Sequence, residues 1–139
     1  MILTPGNYGL DFLRSHALVR RDVPVVKCAN FIGAALDGAV VAGFVRILLV
    51  GHIGKLVKLA GGVMNTHSRY ADCRMELLCA HAAVCGGDAA LCGAVMEAPT
   101  TDAALEFLQG AGLQEPVLRS LLQAERIIRL EDGRVVYDG

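Results

Sequence analysis

Tryptophan is absent from this 139-residue chain, and aromatic residues make up 5% of it. No run of Lys and Arg occurs, and the formal net charge is −1. A nucleic-acid partner calls for a basic stripe, usually with stacking aromatics, so that class is set aside. No C-x-x-C pair occurs among Cys28, Cys73, Cys79, Cys85 and Cys92, and their number is odd. Their spacings do not suit a tetrahedral zinc site, so no resident metal is expected. No signal peptide is visible either. The five read as reduced, mostly buried thiols of a cytoplasmic protein. There is no G-x-G-x-x-G. The stretch Gly51-His52-Ile53-Gly54-Lys55 invites a phosphate-loop reading, but Leu49 stands where that motif needs Gly and Leu56 where it needs Ser or Thr.

A membrane span is also excluded. Residues 31–50 are largely apolar and of suitable length, but they contain Asp37 and Arg46 and are interrupted by Gly33, Gly38 and Gly43. Their first half is Ala-rich and helical, their second rich in Val, Ile and Leu. A helix followed by a buried strand explains them better. One further absence is local. From Gly38 to Ala71 there is no Asp or Glu, while Arg46, Lys55, Lys58 and Arg69 are present with His52 and His67. The simplest chemistry for such a segment is a site for an anionic ligand.

What is present is an apolar chain, with mean hydropathy +0.48 and 54% hydrophobic residues. That length and composition suit one α/β domain over 1–139, with a strand–turn–helix core in 1–68, a mainly helical 69–132 and a final strand in 134–138. Met1-Ile2-Leu3 reads as a strand end, followed by the turn at Pro5-Gly6 and a helix from Leu10 to about His16, with Leu10, Leu13 and Ala17 on one face. Because the chain opens inside a motif, a fragment or a late start is expected. Pro24 to Cys28 reads as a second strand, followed by Ala29-Asn30-Phe31-Ile32-Gly33 and a helix stopped by Gly43. Arg46 to Val50 is the third strand. It leads into a polar glycine loop, a turn at Gly61-Gly62, and a long helix entered through Asn65-Thr66-His67-Ser68 and running to about Cys85. That helix would bury Tyr70, Cys73, Leu77, Leu78, His81 and Val84, with Ser68 or Thr66 as its cap. Asp88 to Met96 and Ala103 to Leu108 read as short helices, the second capped by Thr101 or Asp102. The last helix has Pro116 in its first turn and a stripe of Leu118, Leu121, Leu122, Glu125 and Ile128. Asp132-Gly133 reads as a turn before Val135-Val136-Tyr137.

Strand–glycine turn–helix therefore occurs three times, at Gly6, Gly33 and Gly51. Short connections and right-handed crossovers place these turns on one edge of a mostly parallel sheet, in a Rossmann-like three-layer arrangement, and ligands bind at such edges. His52 is either a general base or hydrogen-bond donor to ligand, or a structural histidine tying the loop to backbone. Lys55 and Lys58 share a face, and bind carboxylates or lie in a solvated surface. Asn65, Thr66, His67 and Ser68 either favour an anion at a helix start or simply cap it. Asp72 and Glu76 read as solvent-facing partners of Arg69 or Lys side chains rather than as paired catalytic carboxylates. His16 and His81 read as structural or exposed. No Ser-His-Asp or Cys-His arrangement stands out.

Four stretches together carry a family resemblance: Thr4-Pro5-Gly6-Asn7-Tyr8-Gly9, Lys27 to Gly33, Leu49 to Lys58, and Gly61 to Ser68. In this order they resemble the cobalamin-biosynthesis family CbiD, the cobalt-precorrin-5B C1-methyltransferases. The resemblance implies methyl transfer from S-adenosylmethionine to ring carbon C-1 of an anionic cobalt-corrinoid, with cobalt entering only as part of that substrate. It further implies that Gly6, Asn7, Asn30, Gly33, Gly51 and Gly54 shape the pocket, that His52, Lys55, Lys58, Asn65, Thr66 and His67 contact cofactor or substrate carboxylates, and that Thr4 and Ser68 also belong to the binding site. No catalytic residue is assigned. Members of the family are much longer, and the likeness covers their carboxyl-terminal part. The alternative is a non-catalytic ligand-binding or scaffold domain that pairs with the missing half or forms a homo-oligomer.

Overall fold

The computed structural model describes residues 1–16, 22–124, 128–131 and 134–137. Three short strands open the architecture: β1 (Ile2–Thr4), β2 (Val25–Lys27) and β3 (Leu48–Leu49). They form a parallel sheet of order β2-β1-β3, with Ile2 opposite Val25 on one side and Leu48 on the other. A helix follows each strand: α1 (Asn7–Ser15), α2 (Ile32–Val41) and α3 (Ile53–Ala60). The triple strand–turn–helix reading of the sequence is thus borne out, and so is the helix-then-strand reading of residues 31–50. Among the described residues, no helix is long and apolar enough to cross a membrane.

Because β1 is central, the chain leaves it for β2 on one side and for β3 on the other. Strand order reverses at β1, which opens a crevice beyond its carboxyl end. The helix after β1 must lie very close to the sheet there. At Gly9, a β-carbon would sit 2.2 Å from the Val50 carbonyl oxygen and 2.4 Å from Thr4 Oγ1. Only a residue without a side chain fits that position.

Four more helices follow: α4 (Arg74–Val84), α5 (Ala89–Met96), α6 (Thr101–Gly110) and α7 (Gln114–Ala124). They form one core with α3, built on Val57, Leu78, Ala82, Val95, Ala104, Leu108, Val117 and Leu121. A second, smaller core of Leu3, Cys28 and Ile32 lies under the sheet, with Leu59 of α3 packed against it. α3 therefore faces both cores. His81 Nδ1 and Ser120 Oγ, 2.8 Å apart, join α4 to α7, which gives His81 the structural role expected of it, while His16 is exposed.

Several boundaries differ from expectation. Residues 52–60 are not a polar loop but α3, because His52 caps a helix there. The helix expected from Ser68 starts at Arg74, with Cys73 at its cap position and no side-chain cap bond. The reason is local. Asn65 Oδ1 accepts the His67 N–H and His67 Nδ1 accepts the Arg69 N–H, so side chains hold the backbone in turns. Tyr70 and Val84, expected on the buried side, are exposed. Thr100, rather than Thr101 or Asp102, caps α6 by accepting the Ala103 N–H. Ile128 belongs to no helix: it opens β4 (Ile128–Glu131), which pairs antiparallel with β5 (Arg134–Tyr137), Ile128 opposite Tyr137. Ala17, Glu125 and the Asp132-Gly133 turn lie outside the described residues.

Two glycines test this packing in opposite directions. Gly9→Ala should destabilise the chain by about 1–3 kcal/mol, the usual cost of overpacking. Gly38, within α2, has open space where its β-carbon would stand, so Gly38→Ala should stabilise by about 0.5–1 kcal/mol. Urea denaturation of both variants checks the pair, and effects of the same sign would refute the close approach at Gly9.

Candidate functional site

The segments after the three strands meet at one cleft. Tyr8 reaches it from the first turn of α1, Asn30 from the β2 turn and His52 from the β3 turn. Its volume is about 470 Å³, within the range typical of small-molecule sites. Gly54, Lys55 and Lys58 of α3 line it, as do Thr66, His67 and Ser68, Arg74 at the start of α4, and Thr100, Thr101 and Asp102 at the start of α6.

The walls are tied by specific bonds. Thr4 Oγ1 donates to the Gly6 carbonyl at 2.7 Å, which tightens the β1 turn. Lys55 Nζ donates to the Pro5 carbonyl at 2.7 Å, fastening that turn to α3. Lys27 Nζ donates to Asn7 Oδ1 at 2.6 Å, joining the β2 end to α1. The β2 turn is bent by Ala29, whose φ of 51° is the only positive value at a non-glycine position among the described residues. Beyond it, Asn30 Oδ1 accepts from Thr66 Oγ1 at 3.2 Å, and the Asn30 carbonyl accepts the Thr66 N–H at 3.0 Å. The Gly33 N–H donates to the Met64 carbonyl at 3.0 Å. A β-carbon on Gly33 would meet Met64 Cβ at 2.8 Å, and one on Gly51 would meet Pro5 Cγ at 2.6 Å.

His52 takes the structural one of its two readings through Nδ1. Nδ1 accepts the Gly54 N–H at 3.2 Å and so caps α3. In the neutral ring this leaves the proton on Nε2. Nε2 stands 3.6 Å from Asp102 Oδ1, and the Tyr8 ring lies 5.2 Å from the imidazole. Gly54 lets α6 approach: a β-carbon there would be 3.3 Å from both His52 Nδ1 and Thr101 Oγ1.

Lys58 is neither on a solvated face nor free for a ligand. It is 3% exposed, and its Nζ donates to the Thr66 carbonyl at 3.4 Å and the Ala71 carbonyl at 3.1 Å. Asp72 Oδ2 lies 3.9 Å away. Arg74 grips the same carboxylate with two bonds, Nε to Oδ1 at 2.8 Å and Nη2 to Oδ2 at 2.6 Å, and donates Nη1 to Thr101 Oγ1 at 3.4 Å. The Arg74 hydrogen bonds pull the Asp72 carboxyl down to about 2. Burial pushes the Cys28 and Cys73 thiols up, so neither is poised as a thiolate nucleophile.

Of the residues expected at the site, the structure brings together Asn30, His52, Gly54, Lys55, Lys58, Thr66, His67 and Ser68. Thr4, Gly6, Asn7, Gly33, Gly51 and Asn65 stand behind this lining, in the turns that shape it. Asn65 and His67 are not at a helix start, so the helix-dipole argument for them fails. Tyr8, Arg74, Thr100, Thr101 and Asp102 were not foreseen. Tyr8 lay inside a quoted motif; Arg74 lies six residues beyond Ser68, and Thr100, Thr101 and Asp102 are distant in sequence, Thr101 and Asp102 reading only as helix caps. The acid-free segment is also less cationic in space than in sequence, because Asp72 and Asp102 enter from outside it.

Residues 65–129 match the family model described as "CbiD, C-terminal domain". The chain is 46% identical over 125 residues to a cobalt-precorrin-5B C(1)-methyltransferase from Ruminiclostridium cellulolyticum, covering 88% of this chain and 32% of that relative. The relative of the same name from Edwardsiella ictaluri is 45% identical, covering 82% and 30%, and that from Desulfitobacterium hafniense 41%, covering 81% and 29%. The chain matches the carboxyl-terminal part of the CbiD family. It spans about a third of the length of these curated relatives. No solved structure matches it.

The Asp72 linkage has a definite sign. Its folded value of about 2 lies below the ordinary 3.8. Its contribution is therefore present above about pH 4 and lost as pH falls through 2. Asp72→Asn should be less stable than the parent at neutral pH, and the gap should close on acidification towards pH 2. Denaturant titrations at stepwise lower pH measure this, and a gap independent of pH would contradict the Arg74–Asp72–Lys58 assignment.

Proposed function

We propose that this cleft serves S-adenosylmethionine-dependent methylation of ring carbon C-1 of cobalt-precorrin-5B in cobalamin biosynthesis, the reaction named for the relatives. The reading rests most on one observation: the segments that follow all three parallel strands deliver Tyr8, Asn30 and His52 to a single cleft, in a chain that matches this family. We infer with it that the sheet is the centre of a Rossmann-like three-layer domain, supported by the parallel order β2-β1-β3 and a helix after each strand.

The chemistry of the lining fits both reactants. A methyl donor of this kind needs hydroxyl and amide partners, a cation for its carboxylate and an acceptor for its ammonium. The cleft offers Asn30, Ser68, Thr101, Lys55 and Asp102. A substrate bearing acetate and propionate groups needs further donors, and His67 and Arg74 supply them. S-adenosylmethionine, when bound, supplies a methyl group already activated by its sulfonium. What remains for the chain is to align donor and acceptor carbon and to exclude water. The fixed His52 ring, the Lys55–Pro5 bond and the Lys58–Thr66–Asn30 linkage hold the walls rigid for that task. Protonated thiols are no handicap, because the displacement needs no protein nucleophile.

A second reading is a non-catalytic domain that pairs with other polypeptide or with its own copy. Val41 at 89% and Leu48 at 55% exposure, the latter on a sheet edge, favour such a surface. Calorimetric titration with S-adenosylhomocysteine and with a corrinoid acid separates the two. Methylation predicts saturable binding of the first at about one site per chain, weakened roughly tenfold by Asn30→Ala. Binding of neither ligand, together with self-association on gel filtration, would favour the scaffold reading.

A further inference from the structure

Two charged groups in the cleft have no partner of fixed opposite charge among the described residues. Lys55 Nζ is held by the Pro5 carbonyl, a neutral group, and among the described residues no carboxylate lies within ion-pair distance of it. Asp102 is the sole carboxylate of the lining. Its side chain is 69% exposed, and its nearest charged or chargeable neighbour is His52 Nε2 at 3.6 Å, beyond hydrogen-bond length. The other charged groups of the lining behave differently. Arg74 and Lys58 share Asp72, so their charges are matched within the protein. A carboxylate in the first turn of a helix is ordinary and by itself says little. What exceeds that explanation is a cation held only by a neutral carbonyl and a carboxylate whose one ion-pair neighbour among the described residues is a histidine, both in the same cleft.

We propose that Lys55 and Asp102 read the two charges of an α-amino acid end, Lys55 taking the carboxylate and Asp102 the ammonium, so that the methionine moiety of the methyl donor lies at the α3–α6 end of the cleft. This rests on the cofactor reading above. It assigns that end of the cleft to the donor and leaves the His67 and Arg74 side for the polyanionic acceptor. Asp102 is then a specificity residue: in an otherwise cationic cleft it favours a zwitterion over a simple polyanion.

The test compares S-adenosylhomocysteine with methylthioadenosine, which keeps the nucleoside and lacks the amino acid end. Both are titrated calorimetrically into the whole chain and into Asp102→Asn. The parent chain should bind S-adenosylhomocysteine at least about tenfold more tightly than methylthioadenosine, the scale of one charge-assisted contact. Asp102→Asn should remove most of that preference and leave methylthioadenosine affinity unchanged, which also shows that the variant is folded. Asp102→Lys should abolish the preference. If the parent binds S-adenosylhomocysteine and Asp102→Asn binds it equally well, the charge assignment falls and the cofactor reading stands. If the parent binds neither nucleoside, the cofactor reading for this cleft falls and the assignment with it.

Discussion

A buried ammonium is costly unless every donor finds an acceptor, and Lys58 shows how strongly this shapes a small fold. Its Nζ sits among the Thr66 and Ala71 carbonyls and the Asp72 carboxylate. These acceptors come from the connection between α3 and α4, which must fold back over α3 to supply them. Folding back sets Thr66 beside Asn30, where two further bonds form. It also brings Asp72 into the grip of Arg74 and carries Arg74 to Thr101. One lysine therefore links the β2 turn, the α3–α4 connection and the starts of α4 and α6. All of these contribute to the cleft.

α3 is the element that makes this possible. One side, with Ile53, Val57 and Ala60, belongs to the helical core, and Leu59 reaches the smaller core under the sheet. Its amino-terminal cap is His52, the last residue of the β3 turn. The helix is short, at eight residues, and would be marginal in isolation. Packing on both sides, a capping histidine and two lysine anchors hold it in place. The same residues line the cleft, so what stabilises α3 also orients the site.

The sequence exposed the skeleton through signals that act over a few residues. Apolar triplets before glycine turns marked the strands, and Asp88 marked the start of α5, where its side chain accepts the Leu91 N–H. The charge reading was less reliable because charge is compensated in space. The acid-free segment around His52 looked cationic, yet Asp72 follows one residue beyond its end and Asp102 lies fifty residues after His52. Periodicity failed where side chains rewrote the backbone, as at Asn65 and His67, whose bonds delay α4 to Arg74. The last helix was read too long because Leu121 and Ile128 are seven apart, a spacing that fits a helical stripe, although Ile128 lies in β4. Pairing with residues 134–137, three to nine positions further on, won over that helical spacing.

The cleft lies across the seam between the two cores. Asn30 and Tyr8 approach it from the sheet, Arg74 and Thr100 to Asp102 from the helical bundle, and α3 from both. Neither half holds a full set of ligand partners, since the unmatched anion is on the bundle side and the unmatched cation is tied to the β1 turn. A ligand that spans the seam is therefore a bridge between the cores as well as an occupant. Its binding energy adds to their cohesion, because anything bound to the native state alone shifts the folding equilibrium. The converse also holds. Any change that loosens the seam, including one at buried Lys58 with no contact to the reacting atoms, lowers affinity by separating groups that each keep their own local geometry. In such a site, the alignment of whatever binds is a property of core packing, and under the proposed methyl transfer alignment is most of what the protein must provide.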